Sequence, residues 1–505
     1  MRRQPNWPPY KMCRTAVSSN KPVEQAKIAT MRSALVLLFA ILCPAETLEH
    51  KLDKLLEAGP GKYFAGVQVY SLESKKILFR YNDDFLFMPA SNMKVLTTSL
   101  ALLRLGPDYT FSTRLVREPS GDVVLIGSGD PSLSGRIYPY ARDSGSGPPL
   151  RTLEALADRA VAEGLTRIDG DVVGDDRLYP WAPYPPSWTQ DDMLRDYGAP
   201  VSALTLNDNT ITLTIQPGAE EGDAAQLSLS PAIEYYSIDN RIVTVTKGGE
   251  ARIRISRVQN SRQLLLWGSI PAHHAPIGET LAVDDPALYA AQSLYDALAR
   301  RGVAIAGKAV ARHRAVEDDY DPGPSVELAV RVSPPLVQLL QVTDKTSQNL
   351  HAELMLREVG RVTRRMGTRE AGVEEMATLF KESGASAGDA RVEDGSGLAR
   401  NVMVAPRLMT KILTHLFESK YREAWLSLLP IGGEDGTLAH RLCCTVDAAN
   451  IHAKTGTLSR AIALSGYAQS KTHGWLAFSI IVNSFSAPSA EVRKWIDKIA
   501  LELTE

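Results

Sequence analysis

The sequence predicts an α/β (α+β) domain built from the two ends of the chain and split by one or two inserted β-rich modules. Near each end, β-rich runs are followed by an amphipathic helix, whereas residues from about 109 to 310 carry many short strand-like runs broken by Gly, Pro, Asp and Asn. A length of 505 residues, at roughly 100–200 residues per domain, leaves room for that arrangement. The composition is 44% hydrophobic and 23% charged, which excludes a mostly disordered, collagen-like or polytopic membrane protein. A net charge of −2 gives no electrostatic footing for nucleic acid. Four cysteines are too few for a disulfide framework.

The elements follow in order. Residues 1–45 hold seven basic side chains (Arg2, Arg3, Lys11, Arg14, Lys21, Lys27, Arg32) and one acid, Glu24. The apolar run Ala34 to Leu42 is followed by Cys43-Pro44-Ala45 and an acidic start at Glu46. The run is far short of the ~20 residues needed to cross a bilayer, so it reads as a removable export signal, with a buried N-terminal helix as the rival. Met31-Arg32 would itself make a compact start. Leu42 stands where a lipoprotein signal needs a small residue before the cysteine, which favours a soluble exported chain. Loss of this leader would leave a charge of −8 and two adjacent thiols, Cys443 and Cys444, which as sequence neighbours are expected to stay unpaired.

Glu49 to Glu57 has a short helical pattern ending at Gly59-Pro60, and Phe64 to Tyr70 with Lys76 to Tyr81 forms a hairpin pattern. Leu96, Leu100 and Leu103 then mark a helix stopped by Gly106-Pro107. In the middle, Val123 to Ile126, Thr210 to Ile215 and Arg252 to Ile255 read as strands, Leu153 to Glu163 as a helix, and the Pro-rich run Tyr179 to Trp188 as an extended surface loop. Leu350 to Val359 is helical. Ala461 to Ser470 and Trp475 to Asn483 read as buried strands, and Ala490 to Leu503 as a closing helix.

Three short motifs could carry chemistry. Ser91-Asn92-Met93-Lys94 opens the first strong helix, which puts Ser91 and Lys94 on one face. A desolvated lysine there could act as a base for the serine; equally, Ser91 could be a plain N-cap and Lys94 a solvated side chain. Ser18-Ser19-Asn20-Lys21 fits the same pattern inside the leader, so this match alone is weak. Ser347-Gln348-Asn349 precedes a helix and could be a hydroxyl relay with an amide donor, or a cap. Lys454-Thr455-Gly456-Thr457, expected at the entry to the strand 461–470, could bind a carboxylate or simply begin a strand.

Ser-x-x-Lys, Ser-x-Asn and Lys-Thr-Gly in that order resemble the signature of the serine penicillin-recognising enzymes. From Lys94 to Ser347 is 253 positions, too far for a compact β-lactamase. That spacing resembles the D-alanyl-D-alanine carboxypeptidase/endopeptidase family, the class C low-molecular-mass penicillin-binding proteins of the penicillin-binding protein 4 type. Gly129 to Leu133 (GDPSL), Tyr197 to Asn209, Ser333 to Leu336, Asp394 to Arg400 (DGSGLAR) and Gly433 to Leu438 resemble it too, from about residue 50 onward. The chain departs from the pattern at Gln348, where Asp is common, and at Ala399, where Ser is frequent.

The resemblance implies a β-lactamase/transpeptidase-like catalytic domain from 46–108 and 311–505, with inserted domains at 109–310 and a second module nested at about 207–275. It implies Ser91 as nucleophile, Lys94 as base, Ser347 as proton relay, and Asn349, Lys454, Thr455, Gly456 and Thr457 as substrate-binding residues. The expected substrates are peptidoglycan stem peptides and cross-links, with β-lactams as inhibitors, in the periplasm or another extracytoplasmic space. No cofactor or metal is implied, and the nine histidines show no ligand-spaced set. Two alternatives remain: a β-lactamase-like hydrolase, disfavoured by the long insertion, and a non-catalytic cell-wall-binding protein, disfavoured by the full set of reactive side chains.

Overall fold

The β-rich runs at the two chain ends pair with each other. In the computed structural model, which describes residues 46–142, 145–258, 261–442 and 445–505, five antiparallel strands lie in the order Ile451–Leu458, Ala461–Ser470, Gly474–Asn483, Phe64–Ser71 and Lys76–Tyr81. The expected export signal and the Cys443-Cys444 pair lie outside the described residues. Alternate side chains of the central strands enter opposite layers, as the two-residue period of a strand requires. Ile462, Leu464, Ile480 and Val482 pack with the helices Leu48–Glu57 and Ser489–Glu502. Ala463, Tyr467, Ala477 and Ile481 pack with the helices on the other side. That second layer contains Met93–Leu105, Leu336–Lys345, Asn349–Arg364 and Pro406–Glu418. Met93 through Leu102 are all buried, so the helix Met93–Leu105 is a core helix rather than an amphipathic surface one.

The long middle segment forms a second sheet. Its strands run Ala309–Arg312, Val172–Asp175, Val123–Ile126, Ser112–Arg117 and Val326–Val332. The first three are parallel and the last two antiparallel to their neighbours. Two smaller sheets lie within this segment: Ile277–Ala282, Thr210–Gln216 and Gln226–Ser230, and then Arg252–Arg257, Gln263–Pro271 and Ser237–Val245. Residues Thr47–Glu505 make one compact unit.

Four expectations change. The strands Ala309–Arg312 and Val326–Val332 extend the middle sheet past residue 310, because Val326–Val332 returns to pair with Ser112–Arg117. This segment is also less purely β than its punctuation suggests. A helix at Pro286–Arg300, capped by Asp285 and opened by proline, accompanies the one at Arg151–Ala162. The Pro-rich run is anchored at both ends, with Tyr179 and Trp188 buried; the Trp188 indole donates to Asp394 Oδ2 at 3.0 Å. Finally, Lys454 to Thr457 lie just before the strand Ala461–Ser470, as expected, but are themselves part of a strand, the sheet-edge strand Ile451–Leu458. Lys454 pairs with Ser465 in the ladder.

Candidate active site

The chain enters the helix Met93–Leu105 through a single tight turn, Ala90–Asn92. Ala90 has φ of 49°, a left-handed conformation that costs a non-glycine residue strain and is seen where surrounding structure holds it. Here Gly397 holds it: a Cβ on Gly397 would come within 1.9 Å of the Ala90 carbonyl oxygen. Ser91 is thereby presented at the helix start, with Lys94 one turn behind.

Lys94 is fully buried. Its Nζ lies 3.0 Å from Ser91 Oγ, 2.6 Å from Asn349 Oδ1 and 2.9 Å from the Ser396 carbonyl oxygen. All three acceptors are neutral. Burial, reinforced by the positive charge of Lys454 and only partly offset by Asp394, Glu353 and Asp344, lowers its pKa to about 7. A shift of that size corresponds to roughly 5 kcal/mol against the charged form. Lys94 can therefore carry a free lone pair near neutrality.

Across the site, the Lys454 Nζ donates to Ser347 Oγ and to its neighbour's carbonyl oxygen, each at 2.9 Å. Burial lowers its pKa to about 8, with Asp344 opposing. Ser347 sits in a left-handed turn with φ of 61° just before the helix Asn349–Arg364. The helix is capped not by Ser347 but by the side chain of Gln348, which accepts from the Leu350 N–H at 3.2 Å. This frees the Ser347 hydroxyl and explains how the departure at Gln348 is absorbed. Asn349 turns its Oδ1 to Lys94 and donates its Nδ2 to the Tyr197 carbonyl oxygen at 2.8 Å.

The edge strand meets the serine turn at Gly456. A Cβ there would fall 2.5 Å from the Pro89 carbonyl oxygen and 3.1 Å from the Asn92 amide, so glycine alone permits the approach. Asn92 Nδ2 fastens the same contact by donating to the Lys454 carbonyl oxygen at 2.9 Å. Ser91, Ser347, Asn349 and Thr457 line a cleft of about 390 Å³, with Lys94 and Lys454 buried beneath their serines. Thr455 instead bonds its hydroxyl to that of Thr437 at 2.8 Å.

The expected residues thus converge, and others join them. Asp192 and Tyr197 from the middle segment and Arg400 from the DGSGLAR run also line the cleft. Glu353 and Asp344 are buried below it, each raised by burial to about 7. Glu353 Oε1 accepts the Gly395 and Ser396 N–H groups at 2.9 and 2.8 Å, which fixes the carbonyl that receives Lys94. The family-like segments around Tyr197 and Asp394 were the available signal for these walls. The two buried acids had none, since each stands singly within an ordinary helix pattern. Among the described residues no cluster of three His, Cys, Asp or Glu side chains is arranged to hold a metal ion.

The chain belongs to the D-Ala-D-Ala carboxypeptidase 3 (S13) family, whose sequence pattern matches residues 48–503. It is 31% identical to the D-alanyl-D-alanine carboxypeptidase of Actinomadura sp. (strain R39) over 458 residues, covering 87% of this chain and 81% of that one. It is 23% identical to the D-alanyl-D-alanine carboxypeptidase DacB of Haemophilus influenzae over 433 residues, 83% of this chain and 85% of the other. The crystal structure of penicillin binding protein 4 from Haemophilus influenzae shares the fold, with a TM-score of 0.76 at 22% identity over 89% of this chain and 97% of that one.

Proposed function

We propose that this chain is a serine D-Ala-D-Ala carboxypeptidase acting on peptidoglycan stem peptides through an acyl-serine intermediate. The observation that carries the reading is a fully buried Lys94, 3.0 Å from Ser91 Oγ, with a pKa of about 7. Neutral Lys94 takes the Ser91 proton as Oγ attacks the carbonyl carbon of the D-Ala-D-Ala bond. The backbone N–H groups of Ser91 and Thr457 flank the developing oxyanion; one such donor is typically worth ~10²–10³ in rate. As the C–N bond breaks, the departing amine receives a proton from Ser347, which Lys454 replenishes. Asn349 orients the acyl part of the substrate. Lys454 and Thr457 receive the terminal carboxylate, Gly456 lets the strand close on the serine turn, and Thr455 braces that strand through Thr437. Water then hydrolyses the ester and regenerates Ser91.

A β-lactam presents the same carbonyl and carboxylate and acylates the same serine; a Haemophilus influenzae relative of this fold has been solved with a β-lactam. Carboxypeptidase and endopeptidase cleavage differ only in the amine that leaves, so products from defined muropeptides assign their balance. The substrate and the leader-like residues 1–45 favour an exported, periplasmic or otherwise extracytoplasmic enzyme. The chain ends form its catalytic domain, and the middle sheets its insertion.

Labelled penicillin with mass spectrometric mapping tests the assignment. The adduct should sit on Ser91 and vanish in Ser91→Ala, while Lys94→Ala should slow acylation by about 10²–10⁴ with the fold intact. Label on another residue, or normal acylation without Lys94, would sink it.

A further inference from the structure

The Pro-rich run Tyr179 to Trp188 has no part in the reaction, yet it shapes a second, larger groove. Trp181 and Tyr184 from this run line a cavity of about 1030 Å³ together with Gln190, Asp191, Arg195 and Tyr197. Its far wall comes from the middle segment, from Arg257 at a strand end and from Asp284, Asp285 and His313 in the connections. The groove adjoins the active-site cleft across Tyr197. Tyr197 lines both, and Asp192 faces the cleft while Asp191 and Met193 face the groove.

The lining restricts the occupant. Three carboxylates (Asp191, Asp284, Asp285) stand among two guanidiniums and His313, and most are already engaged. Arg195 pairs with Glu279 at 3.0 Å, and Asp284 accepts from the Tyr235 hydroxyl at 2.6 Å. His313 lies between Asp176 and Asp285 at 2.9 and 3.3 Å. Burial disfavours its charge, but these two acids outweigh it and lift the imidazole to about 10. Positive and negative groups therefore balance, which suits neither a polyanion nor a polycation. The wall also lacks the continuous apolar stripe that an amphipathic helix would need. What it offers is aromatic surface amid polar groups. The Trp181 indole is braced by the His313 ring at a centroid distance of 4.0 Å, and prolines stiffen the run that carries it. Flat rings beside amide, hydroxyl and charged groups suit a neutral pyranose, whose C–H face stacks while its hydroxyl and acetamido groups find bonds.

Resting on the proposed peptidase reading, we propose that this groove binds the neutral N-acetylated disaccharide to which the stem peptide is attached. The peptide would reach from the cleft along Tyr197, and the sugar would stack on Trp181 and Tyr184. Once its lactyl carboxyl is amidated by the peptide, the sugar carries no charge, matching the balanced wall.

The test compares kcat/KM for a disaccharide-pentapeptide with that for the same pentapeptide free. The native enzyme should favour the disaccharide form by about tenfold, the scale of a good stacking contact. The Trp181→Ala/Tyr184→Ala variant should lose that preference while keeping its rate on free pentapeptide and its penicillin acylation rate. Equal rates of the native enzyme on both substrates, or an equal loss on both in the variant, would overturn the groove assignment. Should the variant not fold, saturation-transfer NMR of the disaccharide with its lactyl carboxyl capped as a simple amide decides with native protein: no transfer overturns it, and transfer to the sugar ring C–H protons supports it. Absence of both penicillin labelling and free-pentapeptide cleavage would instead refute the peptidase reading.

Discussion

At the residue scale, the proposed chemistry depends on two buried lysines, and the charge of Lys454 biases the proton of Lys94. Lys94 must be neutral to act as a base, and burial with the Lys454 charge brings its pKa to about 7. In the proposed reaction Lys454 must hold a proton to receive a carboxylate and replenish Ser347, and its pKa stands at about 8. The signs are opposite. The neutral fraction of Lys94 grows as pH rises through about 7, while the charged fraction of Lys454 falls as pH rises through about 8. The second-order rate of penicillin acylation should therefore trace a narrow bell with limbs near these values. Replacing Lys454 by Ala removes a like charge, so the rising limb should move to higher pH. A flat profile across the neutral range, or a rising limb unmoved by that substitution, would refute the coupling.

At the element scale, the turn carrying Ser91 and the edge strand carrying Lys454 act as one assembly. The strand is fastened to the turn by Asn92 and to the loop 433–438 by the Thr455–Thr437 pair. That loop is in turn held from the middle segment, since the Gly436 N–H donates to the Tyr140 hydroxyl at 3.1 Å. The closest point is Gly456, where a Cβ would meet the Pro89 carbonyl oxygen at 2.5 Å. Gly456→Ala must push strand and turn apart, displacing Thr457 from its proposed oxyanion position. Acylation should fall by about 10²-fold, the worth of one oxyanion donor, while far-ultraviolet circular dichroism stays native. An unchanged rate would mean that the strand does not set that position. Local sequence could not reveal this join. Lys454, Thr455 and Thr457 are polar where a buried strand reads as apolar, so the motif looks like an entry when it is the strand itself.

At the scale of the whole molecule, what was legible followed local periodicity. The terminal strands, the helix after Ser91 and the three motifs each announce themselves within a few residues, and their order supplied the chemistry. The cleft walls were marked only by family-like segments and not by periodicity, because Asp192, Tyr197 and Arg400 join the cleft through tertiary packing. The helix Pro286–Arg300 is obscured in the sequence, despite its Asp285 cap, by the strand-like runs around it. Its burial also bears on whether the nested strands are a separate module. Thr210 and Ala282 are ladder partners, so the ends of the 210–282 segment are adjacent and a short Gly-Ser linker could join them. Yet Ile211, Leu213, Leu264 and Leu266 share one continuous core with Leu115 and Leu125 of the middle sheet and with Tyr289 and Leu294 of that helix. Excision would expose that shared core to water, and losing even one large buried side chain costs about 2–5 kcal/mol against a total stability of about 5–15 kcal/mol. A chain with 210–282 replaced by the linker should therefore be insoluble or lack a cooperative melting transition, and should not bind penicillin. A soluble product that melts cooperatively and labels on Ser91 would show that the nested strands contribute no essential core.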